Sequence, residues 1–369
     1  MRTHGMSGPY MGQELPIDDA NVSFPCLRVL AGGLLTTIQD LGRAGYQHLG
    51  IPPSGALDPV SLQAANALVG NPPGAAALEI AYLGPTLAVE AGSVRVALAG
   101  GAAPIEISAA DGTTRHEENL RSFCLRRGDR LRIGSLAQAA VLYLAAEGGF
   151  DISPVLGSAS TYIRGAFGGL GGRALGAGDR VPLARAFASQ RGDYRLDGLD
   201  LSLPKRIRVI AGPQCDYFSE GTVSRFFSGE YRVAPGSDRM GMRLEGPRLE
   251  HLRGADITSD GVATGSIQVP GDGAPIVLLA DRQTTGGYPK IATVISADLP
   301  ALGRLPIGAK LSFAPVTMEV AESARRALYE DMRNLFARVV PLDKPGDVVD
   351  RLFDCNLISG VTDARRPVA

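Results

Sequence analysis

From Leu78 to Ile107 the chain alternates apolar and other residues in runs of about 6 to 8, read as ALEIAYLG, PTLAVEAG and VRVALAGG, with a glycine at each joint. A period of two over such short lengths makes half-buried strands and leaves no room for a helix between them. Three consecutive strands are expected here. The same grammar opens earlier, where CLRVLAGGLLTTIQD is broken by Gly32 and Gly33 into strand, turn and strand. It returns in RRGDRLRIG (126–134), LGAGDRVPL (175–183) and LPIGAKLSF (305–313), each a glycine turn before a basic residue and a short apolar run, which predicts repeated hairpins. The 47 glycines and 25 prolines supply corners for such a chain, and the lack of tryptophan fits many short elements better than long helices.

Two segments read as helices. In ALDPVSLQAANALVGNPP, Asp58 can cap the free amides, Pro59 suits the first helical position, and Gly70 before Asn71, Pro72 and Pro73 ends the run. Near the C-terminus, VTMEVAESARRALYEDMRNLFARVV repeats Val320, Ala324, Leu328, Met332, Leu335, Phe336 and Val339 at helical spacing, an amphipathic helix expected to pack on its own domain. The fold expected is mainly β, in two related halves, because KRIRVIAGPQ resembles SVRVALAGGA and QDLGRAGYQ has a counterpart in SDRMGMRLEG. With 369 residues, about two domains are expected. The apolar pattern lapses near 188–205. We therefore divide the chain into a loosely ordered extension (1–25), a first β domain (26–200), a second (201–315) and a C-terminal helix and tail (316–369).

Several function classes are disfavoured. Thirty-seven basic against 38 acidic side chains give a net charge of −1, too little positive field for nucleic acid or an anionic membrane. Cys26, Cys124, Cys215 and Cys355 are scattered, and neither a signal peptide nor a long apolar run is evident, so a cytoplasmic protein is expected. His4, His48, His116 and His251 are isolated, and no metal site is expected. The lysines are Lys205, Lys290, Lys310 and Lys344, none after a glycine, so no Walker A loop exists. The Ser202–Lys205 pair lacks the Lys-Thr-Gly that accompanies it in penicillin-binding sites. Gly165–Arg180 fits a Gly-x-Gly-x-x-Ala dinucleotide pattern but has neither strand before nor helix after, which favours a mobile loop or hairpin.

The densest polar cluster lies in 259–290. Asp281-Arg282-Gln283 ends the apolar run IVLLA, where side chains can converge at a strand end; Tyr288 and Lys290 follow. Arg282 can clamp a carboxylate or amide oxygen, and Lys290 can stabilise an oxyanion. The alternative is a turn in which Asp281, Thr284 and Thr285 satisfy backbone amides. Gln39, Asp40 and Arg43 form a similar group, and Asp238 and Arg239 can face the same cleft or pair on the surface.

GLLTTIQDLGRAGYQHLGIPPSGALD, AANALVGN, GPQCDYF, SDRMGMRLEGP and IQVPGDGAPIVLLADRQTTGGYPK together resemble a family that goes by several descriptions: allophanate hydrolase subunit 2, Kip-type anti-inhibitor, the biotin-dependent carboxyltransferase domain of urea carboxylase, and the C subunit of 5-oxoprolinase. The resemblance implies two cyclophilin-like β-barrel domains. It implies partners too: a Kip-inhibitor-like subunit and a lactam-utilisation subunit, which together complete an ATP-dependent 5-oxoprolinase opening 5-oxoproline to glutamate. No lysine here has the methionine flanks of a biotin acceptor, and no Lys-Ser amidase start occurs.

Three functions follow from the resemblance. The first is a subunit of the ATP-dependent 5-oxoprolinase, with ATP bound in the complex. The second is a carboxyltransferase component for urea or another amide, with biotin carried by another chain. The third is a non-catalytic regulator that binds a kinase-inhibitor partner. For the enzyme readings, Lys290, Arg282, Asp281 and Tyr288 are the catalytic candidates, and Gln39, Asp40, Arg43, Asp238 and Arg239 the substrate-binding ones.

Overall fold

The computed structural model describes residues 24–342. Most of the expected N-terminal extension and the tail beyond 342, with His4, Lys344 and Cys355, lie outside the described residues.

The first half runs β1 (Cys26–Ala31), β2 (Leu35–Gln39), α1 (Pro59–Val69), β3 (Ala77–Ala81), β4 (Thr86–Val89), β5 (Ser93–Ala102), β6 (Ile105–Ser108), β7 (Thr114–Glu117), β8 (Ser122–Arg126), β9 (Arg130–Ile133), β10 (Ala137–Ala146) and β11 (Arg180–Pro182). These strands form a six-stranded sheet, β11-β1-β4-β9-β6-β7, and a five-stranded sheet, β2-β3-β10-β5-β8. The expected strands are present, but successive ones separate. β1 and β2 go to different sheets, as do β8 and β9, so the RRGDRLRIG turn is a corner between sheets and not a hairpin. Gly128 makes that corner at φ +90°, a conformation other residues rarely adopt.

Side-chain size sorts the two faces of the five-stranded sheet. On β5, Val94, Val96 and Leu98 join the core between the sheets, together with Leu142 and Leu144 of β10. The opposite face presents Ala97, Ala99, Tyr143 and Ala145 to Leu62, Ala65 and Leu68 of α1, and the small residues let the helix approach closely. α1 starts and stops where the sequence predicts: Asp58 accepts from the amides of Val60 and Ser61, Pro59 follows, and Gly70 closes the C-terminus in the left-handed region.

After β12 (Tyr194–Leu196), the second half comprises β13 (Arg206–Ala211), α2 (Glu220–Ser228), β14 (Tyr231–Val233), β15 (Gly241–Glu245), β16 (Asp260–Gly261), β17 (Ser266–Gln268), β18 (Ile276–Leu278), β19 (Thr285–Gly286), β20 (Lys290–Val294), α3 (Leu299–Gly303) and β21 (Lys310–Pro315). β13-β20-β17-β18-β15-β14-β21 close into a barrel filled by Ile207, Val209, Ile267, Val277, Phe226 and Phe313. β16 and β19 pair as a short ribbon outside it.

The chain then returns through α4 (Met318–Arg333) and β22 (Val339–Pro341). The periodicity predicts a helix reaching Val339, but α4 stops at Arg333. Asn334 ends it, and Val339, Val340 and Pro341 pair with β12, a state that suits β-branched residues and proline better. Of the predicted stripe, Leu335 is buried against Leu196, whereas Val320 and Phe336 are exposed. The glycine-rich segment opens no helix, in line with the sequence pattern, and β11 follows it. Gly168, Gly169, Gly171 and Gly172 all take positive φ, and a Cβ at Gly172 would lie 2.1 Å from the carbonyl carbon of Ala166, so tight turns lead the chain into β11. Among the described residues no helix is long and apolar enough to cross a membrane.

Candidate active site in the cleft between the halves

A buried ionic network joins the halves. Arg239, in the turn before β15, donates from Nε to Asp281 Oδ2 at 2.8 Å and from Nη2 to Asp281 Oδ1 at 3.1 Å. Its Nη2 also donates to the Gly55 carbonyl at 2.6 Å, and its Nη1 to Glu79 Oε1 on β3. Glu79 Oε2 accepts from the Leu57 amide at 2.9 Å and the Tyr143 hydroxyl at 2.5 Å, and that hydroxyl accepts from the Asp58 amide. Burial acts to lower the Arg239 pKa, but Glu79 and Asp281 outweigh it and hold the pKa above its ordinary value. Arg304 at the end of α3 donates to Asp58 Oδ2 at 2.7 Å, so the helix-capping carboxylate also ties the halves together. The backbone adds Ser54 N to Ala280 O at 3.2 Å and Ala140 N to Arg304 O at 2.8 Å.

This seam sets the 42–55 loop against the 260–264 and 282–285 segments. Between them lies a cleft of about 670 Å³ lined by Gln47, His48, Val262, Thr264, Arg282, Thr284 and Thr285, among others. Arg282 is 2% exposed; its Nε donates to the Val262 carbonyl at 3.1 Å, while its Nη1 meets no acceptor. Its pKa is lowered by burial, with no neighbouring charge to oppose the effect. Asp281 and Arg282 are adjacent in sequence yet point to different tasks, one to the seam and one to the cleft. A second groove of about 680 Å³ beside β7 and β8, lined by Arg115, Glu117, Arg126 and Asp129 among others, is of the same size, so volume alone does not select the site.

None of the other candidates lines this cleft. Lys290 is buried at the start of β20, its Nζ 2.9 Å from Asp260 Oδ2, and that bond holds the Asp260 carboxyl below its usual range. Gln39 is fully buried, donating to Thr37 Oγ1 and the Thr161 carbonyl. Asp40 organises a serine-rich turn, accepting from Ser158 Oγ at 2.6 Å, Ser160 Oγ at 2.5 Å and the Ala159 amide at 2.7 Å. Arg43 donates to the Ser160 carbonyl, lies 4.9 Å over the Phe167 ring, and leaves Nε and Nη1 unpaired. Burial lowers its pKa, and Asp40 and Asp281 partly restore it. Asp238 is exposed and accepts from the amides of Met240 and Gly241, which makes it a turn-former. Tyr288 is 41% exposed and does not line the cleft.

Sequence reasoning misses Glu79 and Tyr143, which complete the network from two strands. Each is a polar side chain inside an otherwise apolar run, ALEIA and AAVLYLAA, and that interruption is the available signal.

Residues 49–315 match the family described as carboxyltransferase domain, subdomain A and B. The chain is 37% identical to the C subunit of 5-oxoprolinase from Escherichia coli K12 over 302 residues, which make up 81% of this chain and 94% of that one. It is 33% identical to the corresponding 5-oxoprolinase chain of Haemophilus influenzae Rd over 79% of this chain and 91% of that one. Among solved structures it resembles the urea carboxylase of Kluyveromyces lactis, with a TM-score of 0.77 and 29% identity, over 89% of this chain but only 31% of that larger one.

Proposed function

Since the chain belongs to the family of carboxyltransferase domains with subdomains A and B, we propose that it is a subunit of an ATP-dependent 5-oxoprolinase, which hydrolyses 5-oxoproline to glutamate. The observation that carries this reading is the extent of the similarity, which spans 94% of the E. coli 5-oxoprolinase chain. In this reading the chain works with a Kip-inhibitor-like subunit and a lactam-utilisation subunit, and the cleft between its halves receives the lactam. Arg282 orients the substrate by charge-assisted hydrogen bonding to its oxygens. Arg239 and Asp281 fix the loop that carries Arg282. Lys290 lies outside the lining of the cleft, its charge answered by Asp260.

In this reading ATP is bound in the assembled complex, and this chain carries no Walker A loop. The test is reconstitution with both partner subunits, ATP and 5-oxoproline, following glutamate. Glutamate should form only when this chain is present; undiminished turnover on omitting the chain would overturn the proposal.

The family description and the K. lactis match favour a second reading, transfer of a carboxyl group from biotin on another chain to urea or a related amide. Carboxylation of the amide, dependent on a biotinylated carrier and absent without it, would select that reading.

A further inference from the structure

Five arginines are buried among the described residues: Arg43, Arg95, Arg239, Arg282 and Arg304. Three of them are ion-paired with acids, and a fourth has acids nearby. Arg95 bonds Glu147 and Asp193, Arg239 bonds Glu79 and Asp281, Arg304 bonds Asp58, and Arg43 lies in the field of Asp40 and Asp281. Arg282 has a single backbone carbonyl as partner, no acid near enough to affect it, and a wall position in the cleft. A guanidinium cannot shed its charge at neutral pH, so burying one without an anion is costly, and folded chains pair such groups. Gln268, whose Oε1 accepts from the Gln283 side chain, is 2% exposed and also leaves a donor unpaired at Nε2. Both unfilled groups are donors, and what they lack is an acceptor.

We infer that Arg282 is the anion-reading residue of the cleft and that the ligand it takes is a small carboxylate. A guanidinium presents two parallel N–H groups that match the two oxygens of a planar carboxylate. Among the described residues Arg282 is the one permanently charged side chain lining the cleft, and the rest of the polar lining comes from Thr264, Thr284, Thr285, Gln47 and His48. One fixed positive charge balances a carboxylate, whereas a phosphate carrying nearly two charges calls for more cations than the wall provides. A neutral urea or simple amide would leave the guanidinium uncompensated. The choice of a lactam acid as probe rests on the 5-oxoprolinase reading; the need for an anion does not.

The experiment measures binding of 5-oxoproline, of 2-pyrrolidinone, which has the same ring without the carboxyl group, and of inorganic phosphate to the full chain by calorimetry. 5-Oxoproline should bind at least about tenfold more tightly than 2-pyrrolidinone, the worth of a charge-assisted hydrogen bond. Arg282→Gln should erase that preference, Arg282→Lys should keep part of it, and Arg325→Gln, an exposed change on α4, should leave it intact. Equal binding of the two lactams by the wild-type chain, no measurable binding of either, phosphate binding more tightly than 5-oxoproline, or a preference that survives Arg282→Gln would each overturn it. The wild-type comparison does not depend on how well any variant folds. If the carboxylate preference depends on Arg282 but the reconstituted complex forms no glutamate, the 5-oxoprolinase reading falls and the inference stands.

Discussion

Replacing Arg239 by methionine keeps most of the aliphatic stem and removes the charge that joins the halves. Three contacts disappear, Nε to Asp281 Oδ2 at 2.8 Å, Nη2 to Asp281 Oδ1 at 3.1 Å and Nη2 to the Gly55 carbonyl at 2.6 Å, together with the bond to Glu79. Glu79 and Asp281 are 3% and 5% exposed, so two carboxylates would be left in the interior. Glu79 would keep the Leu57 amide and the Tyr143 hydroxyl, whereas Asp281 would lose both hydrogen bonds from Arg239. Stranding a buried partner in this way costs about 3–5 kcal/mol, against about 0–1 kcal/mol for an exposed pair. Urea unfolding followed by circular dichroism should give a midpoint lowered by that free energy divided by the slope, with the slope itself unchanged. Adding Asp281→Asn to Arg239→Met should then cost much less than the sum of the two single changes, because the stranded charge is gone. A loss under about 1 kcal/mol in Arg239→Met, or strict additivity in the double variant, would refute the claim that this network holds the halves together.

Other sites give sharper local tests. Asp58→Ala removes both the α1 cap and the partner of Arg304, so it should cost more than the roughly 0.5–2 kcal/mol of a cap alone, as read from thermal unfolding. A Cβ at Gly303 would lie 2.3 Å from the Leu57 carbonyl oxygen across the seam, and Gly303→Ala should destabilise by about 1–3 kcal/mol or more; a neutral effect would mean the halves are less closely apposed. Burial and the adjoining Glu90 push the Cys26 thiol up to about 12, so native protein treated with iodoacetamide should label Cys26 last of Cys26, Cys124 and Cys215 in peptide mapping. Because that value is raised on folding, the contribution of Cys26 to stability is intact below the ordinary thiol value of 9.0 and fades as pH climbs toward about 12.

The parts of this structure that are legible in the sequence are local. α1 announces itself through Asp58, Pro59 and Gly70, since capping and chain reversal depend on neighbours a few residues away. The strands are legible from alternation, but their partners are not: β4 and β5 adjoin in sequence and lie in different sheets. At the cleft, the Asp281-Arg282-Gln283 run is visible as a cluster, yet nothing local says that Asp281 faces Arg239, 42 residues earlier, while Arg282 faces the cleft. Scarcity draws attention to Lys290, which the structure pairs with Asp260. The special status of Arg282 comes from what it lacks, and an unpaired buried charge can be recognised only once all its neighbours are placed.

The most direct test is the rate of glutamate formation from 5-oxoproline by the complex assembled with ATP, both partner subunits and the Arg282→Gln chain. If Arg282 holds the substrate in the cleft between the halves, kcat/KM should fall by about 100-fold or more while assembly of the complex is retained. A variant complex that matches the wild-type rate to within about twofold would contradict the assignment of the reaction to this cleft.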